Sequence, residues 1–190
     1  PMVVVGIAML QGARHAHIDA LRSAAAELGI DVDIVELRTA QDLACSRIDA
    51  LMLPGGETTV MRLAGNDEAS LLLPAMFEWM RSNPDGPVLA TCAGAILLSD
   101  PQDGGEPLID AEIDRNAYGR QLDSFQAELG DGFPGVFIRA PRYLNHREEV
   151  ISTHQGEVVG LRKANRIALT FHPELSDDAR FHRMLLEACS

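Results

Sequence analysis

The sequence predicts an α/β fold, with a mainly parallel sheet covered by helices. Two observations carry this. Apolar, strand-like segments alternate with segments of helical periodicity, and the connections between them are short. The first of these segments, Val3–Leu10, is rich in β-branched residues and apolar on both faces, as a central parallel strand should be. With 190 residues, 46% hydrophobic and 23% charged, the chain can bury a real core, and one domain over residues 1–190 is the expected organisation.

The elements follow in order. After the first strand, His15–Leu28 carries Ile18, Leu21, Ala25 and Leu28 at helical spacing, and Gly29 is well placed to end the helix. Val32–Leu37 reads as a second strand, and Ile48–Leu53 as a third that closes on Pro54-Gly55-Gly56. A helix over Leu71–Met80 leads through the turn Pro84-Asp85-Gly86-Pro87 into the strand Val88–Thr91, and helix Ala93–Leu98 follows. Beyond the polar loop Asp100–Glu106 the pattern shortens. Gln121–Leu129, Gly135–Ala140, Val150–His154, Glu157–Arg162 and Arg166–Phe171 read as strands of a small antiparallel extension leading back into the main sheet. Asp177–Cys189 reads as an amphipathic helix with Phe181, Met184, Leu185 and Ala188 inward. No linker, repeat or low-complexity tract interrupts the chain.

Composition excludes several function classes. The 28 acidic against 16 basic residues leave a net charge of −12, which disfavours nucleic-acid binding. The apolar runs are too short to cross a bilayer, and the N-terminal residues read as a strand rather than a leader. The cysteines, Cys45, Cys92 and Cys189, lie far apart and are odd in number, which points to a reducing, cytoplasmic setting without disulfides or a zinc site.

Three segments carry chemistry, each at the end of an apolar strand, where a parallel sheet places its active site. The first is Cys92, set between Val88–Thr91 and a helix, with small neighbours Ala90, Ala93 and Gly94. Such a turn presents a nucleophile and aims helix N–H groups at the sulfur, which favours the thiolate. A small buried cysteine ahead of a core helix fits the same residues. The second is Pro54-Gly55-Gly56-Glu57-Thr58-Thr59, whose glycines let backbone N–H groups turn toward an oxyanion. Glu57 opposes a phosphate cradle; a plain turn before a helix capped by Thr58 or Thr59 is the alternative. The third is Phe171-His172-Pro173-Glu174, in which Glu174 can accept from one ring nitrogen of His172 and leave the other facing a thiol. With Cys92 this completes a nucleophile, base and orienter.

With these residues in place the chain resembles a known family. The segments Leu10-Gln11-Gly12, Leu53–Glu57, Thr91–Gly94, Arg115–Gln121, Phe137–Pro141 and Phe171–Glu174 resemble the glutaminase subunits of pyridoxal 5′-phosphate synthase, a branch of the class I glutamine amidotransferases. The block from Arg115 to Phe125 separates that branch from the wider group. The resemblance implies a flavodoxin-like sheet with helices on both faces. It implies that Cys92, His172 and Glu174 hydrolyse L-glutamine to glutamate and ammonia through a thioester. Backbone N–H groups of Gly56 and Ala93 would hold the oxyanion. Glu57, Thr58 and Arg115 would bind the amino-acid end of glutamine, helped by the Ile138-Arg139 backbone, and Gln11 would sense the partner. That partner would be a (β/α)₈-barrel synthase subunit receiving the ammonia, with no cofactor, metal, nucleic acid or membrane involved. Two departures from the family's pattern, Ala90 for glycine and Thr58 for serine, keep small size and hydroxyl respectively.

Other groupings are weaker. His15 and His17 are two apart on a helix and do not face each other, so they make no metal pair, and His146 and His154 lack ligands at suitable spacing. Cys45 and Cys189 read as packing residues. Two rival functions remain open at this level: a cysteine hydrolase of the same fold acting on γ-glutamyl peptides, and a non-catalytic regulatory module.

Overall fold

A seven-stranded sheet organises the protein, and a computed structural model describes residues 2–11, 14–115 and 124–189. The first half of the chain runs β1 (Met2–Ala8), α1 (Arg14–Leu28), β2 (Asp31–Leu37), α2 (Ala40–Cys45), β3 (Ala50–Leu53), α3 (Thr58–Asn66), α4 (Leu72–Ser82), β4 (Val88–Thr91) and α5 (Ala93–Ser99). The second half is mostly strand: β5 (Ala111–Asp114), β6 (Ser124–Glu128), β7 (Pro134–Ile138), β8 (Arg142–His146), β9 (Glu149–His154), β10 (Glu157–Lys163) and β11 (Arg166–Leu169). A single 3-10 turn at Pro173–Leu175 and helix α6 (Arg180–Glu187) follow.

The sheet order is β2-β1-β3-β4-β11-β10-β9. The first five strands are parallel, while β10 and β9 add on antiparallel at one edge. The parallel part has the doubly wound, flavodoxin-like order. Strand residues alternate between two cores, as a pleat of period two requires. Leu51, Leu53, Val88, Ala90 and Ala168 face a core built with α2, α3, α4 and α5. Val5, Ile7, Met52, Leu89, Ile167 and Leu169 face the other, built with α1, α6 and the β6–β7 hairpin. Both faces are therefore covered by helices, which explains why these strands carry no polar alternation.

The second core is anchored by aromatic rings. Phe133, Phe171 and Phe181 are buried with centroids 4.9 to 5.7 Å apart, and Phe137 packs on Phe171 at 5.6 Å. Burial of each ring contributes about 1.5–3 kcal/mol, and Phe171 immediately precedes His172, so this cluster also fixes the strand end that bears the imidazole.

Several expectations need correction. The antiparallel residues do not form one extension: β9 and β10 join the main sheet, whereas β5 pairs with β8 and β6 with β7 in separate ladders. Neither β5 nor β8 was expected, because both are short and polar and the pairing is long-range with a bulge after Glu112. Helix α2 was also missed, although its capping box, Thr39 with Asp42, is legible in the sequence. The last helix is shorter than Asp177–Cys189; Phe181, His182, Leu185 and Leu186 are its buried residues and Met184 is partly buried against the second core, whereas Ala188 is not part of it. Cys45 is exposed and takes a hydrogen bond from Gln41, so it is no packing residue. Cys189 does pack against the second core. Among the described residues no helix is long and apolar enough to cross a membrane, and no group of His, Cys, Asp and Glu could hold a metal ion.

Phe181→Ala removes a ring that touches both Phe133 and Phe171. The expected cost is about 3–5 kcal/mol, read as a lowered midpoint in denaturant unfolding followed by circular dichroism.

Candidate functional site

The register of the parallel strands lines up four loops at their carboxyl ends. Gln11 lies beyond β1, Gly55–Thr58 after β3, Cys92 after β4 and His172 after β11, and these strands are consecutive neighbours in the sheet. Residues far apart in sequence thus meet along one edge, beside the β1/β3 reversal of strand order where doubly wound sheets bind ligands.

Cys92 is the residue between β4 and α5, and it takes φ 52° and ψ −114°. A left-handed φ at a non-glycine residue costs on the order of 1–3 kcal/mol, so the surrounding structure has to impose it. Its N–H donates to the Leu169 carbonyl at 2.8 Å, tying the turn to β11. On the other side, α5 packs hard on β3: a Cβ at Gly94 would sit 2.5 Å from the Leu53 carbonyl oxygen, so only glycine fits. The elbow leaves the sulfur buried, with the Ile138 carbonyl 3.8 Å away as acceptor of its S–H. Ala93 opens α5, and the first N–H groups of a helix have no intrahelical acceptor.

His172 is held by its own N–H donating to the Val136 carbonyl at 2.8 Å. Its Nδ1 is 2.9 Å from Glu174 Oε2, an oxygen buried in the 3-10 turn. Gly55 leaves room for the imidazole and the thiol to come together: a Cβ there would meet Cys92 Cβ and His172 Cε1 at 3.1 Å each. Burial works against a charged ring, but hydrogen bonding and charge from Cys92 and Glu174 outweigh it and push the His172 pKa up to about 10. Burial also penalises the Glu174 carboxylate, yet hydrogen bonds and charge from His17 and His172 hold its pKa well below the usual range. An imidazolium between the Cys92 sulfur and the Glu174 carboxylate is the resting arrangement that these causes favour.

The loop after β3 is fastened from two directions. Glu57 N–H donates to Gln11 Oε1 at 2.6 Å, so Gln11 grips the Gly56–Glu57 peptide. Glu57, not Thr58 or Thr59, caps α3, its carboxylate accepting from Val60 N–H at 2.9 Å. That bond, opposed by some burial, lowers the Glu57 pKa, and Thr59 and the charge of Arg115 add to the effect. Thr58 is buried in the first turn and its hydroxyl accepts from Arg115 Nη1 at 3.1 Å. Glu57, Thr58 and Arg115, expected at the amino-acid end of the substrate, are thus brought together. The Ile138 carbonyl also arrives beside Cys92, and Arg139, the residue after β7, sits at φ 44°. Asn116–Asp123 of the Arg115–Phe125 block, like Gly12 of the Gln11 segment, lie outside the described residues.

Two residues of this neighbourhood were not foreseen. His17 is fully buried with Nε2 3.3 Å from Glu174 Oε2, and its Nδ1 is 3.0 Å from Nε2 of the equally buried His182. The sequence does hold a signal: stepping back four positions along the apolar stripe from Leu21 lands on His17. A cleft of about 930 Å³ between β6–β7 and the start of α6, lined by Glu27, Glu128, Asp177 and Asp178 among others, includes no atom of Cys92, His172 or Glu174. Cleft size alone therefore does not locate this site.

Residues 7–190 match the SNO glutamine amidotransferase family. The chain belongs to that family. Its relatives include the pyridoxal 5′-phosphate synthase subunit PdxT of Thermococcus onnurineus, 42% identical over 97% of this chain and 98% of the relative. PdxT of Actinobacillus pleuropneumoniae serotype 5b is 38% identical over 96% and 94% respectively. A crystal structure of a glutamine amidotransferase superposes with a TM-score of 0.78 at 33% identity, covering 97% of this chain and 98% of the other. A glutamine amidotransferase of Thermotoga maritima, 14% identical with a TM-score of 0.58 over 99% and 90%, shares the fold. For a glutamine amidotransferase the arrangement makes chemical sense: a thiol beside an imidazole, a carboxylate behind it, and a loop of N–H donors at hand.

Two outcomes test this geometry. Gly55→Ala presses a methyl group against both Cys92 and His172; glutamine hydrolysis is expected to fall on the order of a hundredfold, as for a misplacement of about 1 Å, with little change in the unfolding midpoint. The second concerns stability. Below the ordinary histidine pKa of 6.5 His172 is protonated in folded and unfolded chains alike, whereas between there and about 10 only the folded chain keeps the proton. The stability advantage of the wild type over His172→Gln is therefore expected to shrink as pH rises through that window, measured by urea unfolding at each pH.

Proposed function

We propose that this chain is the glutaminase subunit of a pyridoxal 5′-phosphate synthase, with residues 1–190 acting as one amidotransferase domain. The observation that carries the catalytic reading is the meeting of Cys92 and His172 over the bare face of Gly55, with Glu174 2.9 Å behind the imidazole. The relatives named as synthase subunits supply the pathway context.

The reaction runs as follows. With its proton on His172, the Cys92 sulfur attacks the side-chain amide carbon of L-glutamine, and the carbonyl electrons move onto oxygen. The N–H groups of Gly56 and Ala93 take up that oxyanion. His172 gives its proton to the amide nitrogen, the C–N bond breaks, and ammonia leaves a γ-glutamyl thioester. Water then attacks the thioester, His172 takes a proton from it, and the C–S bond breaks to release L-glutamate and the thiolate. Glu174 orients His172 throughout and offsets its charge. Arg115 pairs with the substrate carboxylate while Glu57 and Thr58, with the Ile138-Arg139 backbone, hold the ammonium end.

Ammonia released into water is protonated and lost as a nucleophile, so a synthase subunit that receives it directly, a (β/α)₈ barrel in the family this chain resembles, fits the chemistry. Gln11, with its grip on the Gly56–Glu57 peptide, is placed to report the arrival of that partner at the oxyanion loop. A thiolate nucleophile suits a reducing, cytoplasmic setting.

Coupled assay of glutamate release tests this. The chain mixed with its synthase subunit is expected to hydrolyse glutamine faster than the chain alone, and Cys92→Ala to show no hydrolysis in either state. Glutamate release by Cys92→Ala at the wild-type rate would sink the mechanism.

A further inference from the structure

Behind Cys92, His172 and Glu174 stand two histidines that this reaction leaves unused. His17 on α1 and His182 on α6 are both buried to 0% exposure inside an otherwise apolar core. Their rings meet through His17 Nδ1 and His182 Nε2, 3.0 Å apart. His17 Nε2 faces Glu174 Oε2 at 3.3 Å, the oxygen that His172 Nδ1 approaches at 2.9 Å from the other side. The first contact is the longer one and falls outside hydrogen-bond alignment, so His17 Nε2 is a buried nitrogen that faces Glu174 with no hydrogen-bond partner among the described residues. The five groups form one line of thiol, imidazole, carboxylate, imidazole and imidazole.

The proton inventory gives that line a direction. A neutral imidazole carries one N–H and one lone pair. His182 Nδ1 is buried with no partner among the described residues, and a buried N–H without an acceptor is rarer than a buried acceptor without a donor. The bare nitrogen of His182 is therefore Nδ1, and its Nε2–H donates to His17 Nδ1. That leaves the His17 proton on Nε2, aimed at Glu174. Burial above all pushes the His182 pKa down to about 3, so its ring holds no second proton.

We propose that His17, seated on His182, is a positioning residue of the glutaminase reaction, donating to Glu174 Oε2 so that the carboxylate stays oriented toward His172. The inference rests on the glutaminase reading above. Cys92 from the elbow before α5, His17 from α1 and, behind it, His182 from α6 are the titratable groups facing the His172–Glu174 pair. Without the His17 donor Glu174 steadies the imidazolium less well, and His172 loses its proton at lower pH.

The test uses the complex with the synthase subunit and four chains: wild type, Cys92→Ala, His17→Leu and His17→Gln. Leucine fills the space without a donor, while glutamine places an N–H at the same reach. In glutamine hydrolysis followed from about pH 6 to about pH 10.5, His17→Leu is expected to lower kcat on the order of tenfold or more and leave KM within about twofold. The basic limb of kcat/KM moves to lower pH by about half a unit or more, and His17→Gln recovers most of both effects. A second readout is the pH dependence of Cys92 alkylation by iodoacetamide in the free chain, located by peptide mass because Cys45 is exposed and reacts with the same reagent; its profile shifts in the same sense. If His17→Leu does not fold, His17→Asn, too short to reach Glu174, replaces it. A wild-type kcat and an unmoved limb in the donor-less variant overturn the inference and leave the glutaminase reading intact. A loss that His17→Gln does not recover, with no movement of the limb, also overturns it, because His17 is then only packing. A wild-type complex as inactive as Cys92→Ala overturns the glutaminase reading and this inference together.

Discussion

The first turn of α5 lies so close to the end of β3 that no Cβ fits between Gly94 and the Leu53 carbonyl, and the rest of the site follows from that contact. Because the helix starts there, the residue before it has to reverse direction within one peptide, and Cys92 accepts a left-handed φ to do so. The N–H of Cys92, bonded to Leu169, then ties the strained turn to the strand that carries His172. Strain at Cys92 is thus balanced by packing on β3 and a hydrogen bond to β11 rather than by anything local.

Electrostatics at the site depend on a similar economy. Glu174 is buried against an aromatic and aliphatic core, where an unpaired carboxylate would be costly. It stays charged because imidazoles reach it from two sides, and its charge in turn supports a proton on His172. Removing any one member leaves another group buried and unmatched, which is why such networks behave as units. The loop after β3 is assembled differently. Its anchors are Gln11 and the Glu57 cap, both more exposed, so this side of the site is the easier to rearrange.

Legibility of the sequence varied with the range of the interaction that fixes each element. Helix α1 and strands β1, β3 and β4 announce themselves through periodicity and turn residues, since each is defined by what its own residues bury. Helix α2 was readable from its capping box, a purely local signal. The ladder of β5 with β8 was not, because residues 111–114 acquire strand geometry only by meeting residues 142–146. His17 shows the same limit at the site. Its place on an apolar stripe marks it as inward-facing, yet nothing near it in sequence says that Glu174 and His182 will be its neighbours.

By itself the sequence determined the α/β class, the elbow at Cys92, the His172–Glu174 pairing and the glycine turn at Gly55-Gly56, because each rests on residues within a few positions of one another. Tertiary structure decided what stands opposite what. It brought thiol and imidazole together over Gly55, closed Arg115 onto Thr58, made Glu57 a helix cap, and put two buried histidines behind the carboxylate. Strand order and register fix those meetings, and they are properties of the assembled sheet rather than of any one segment.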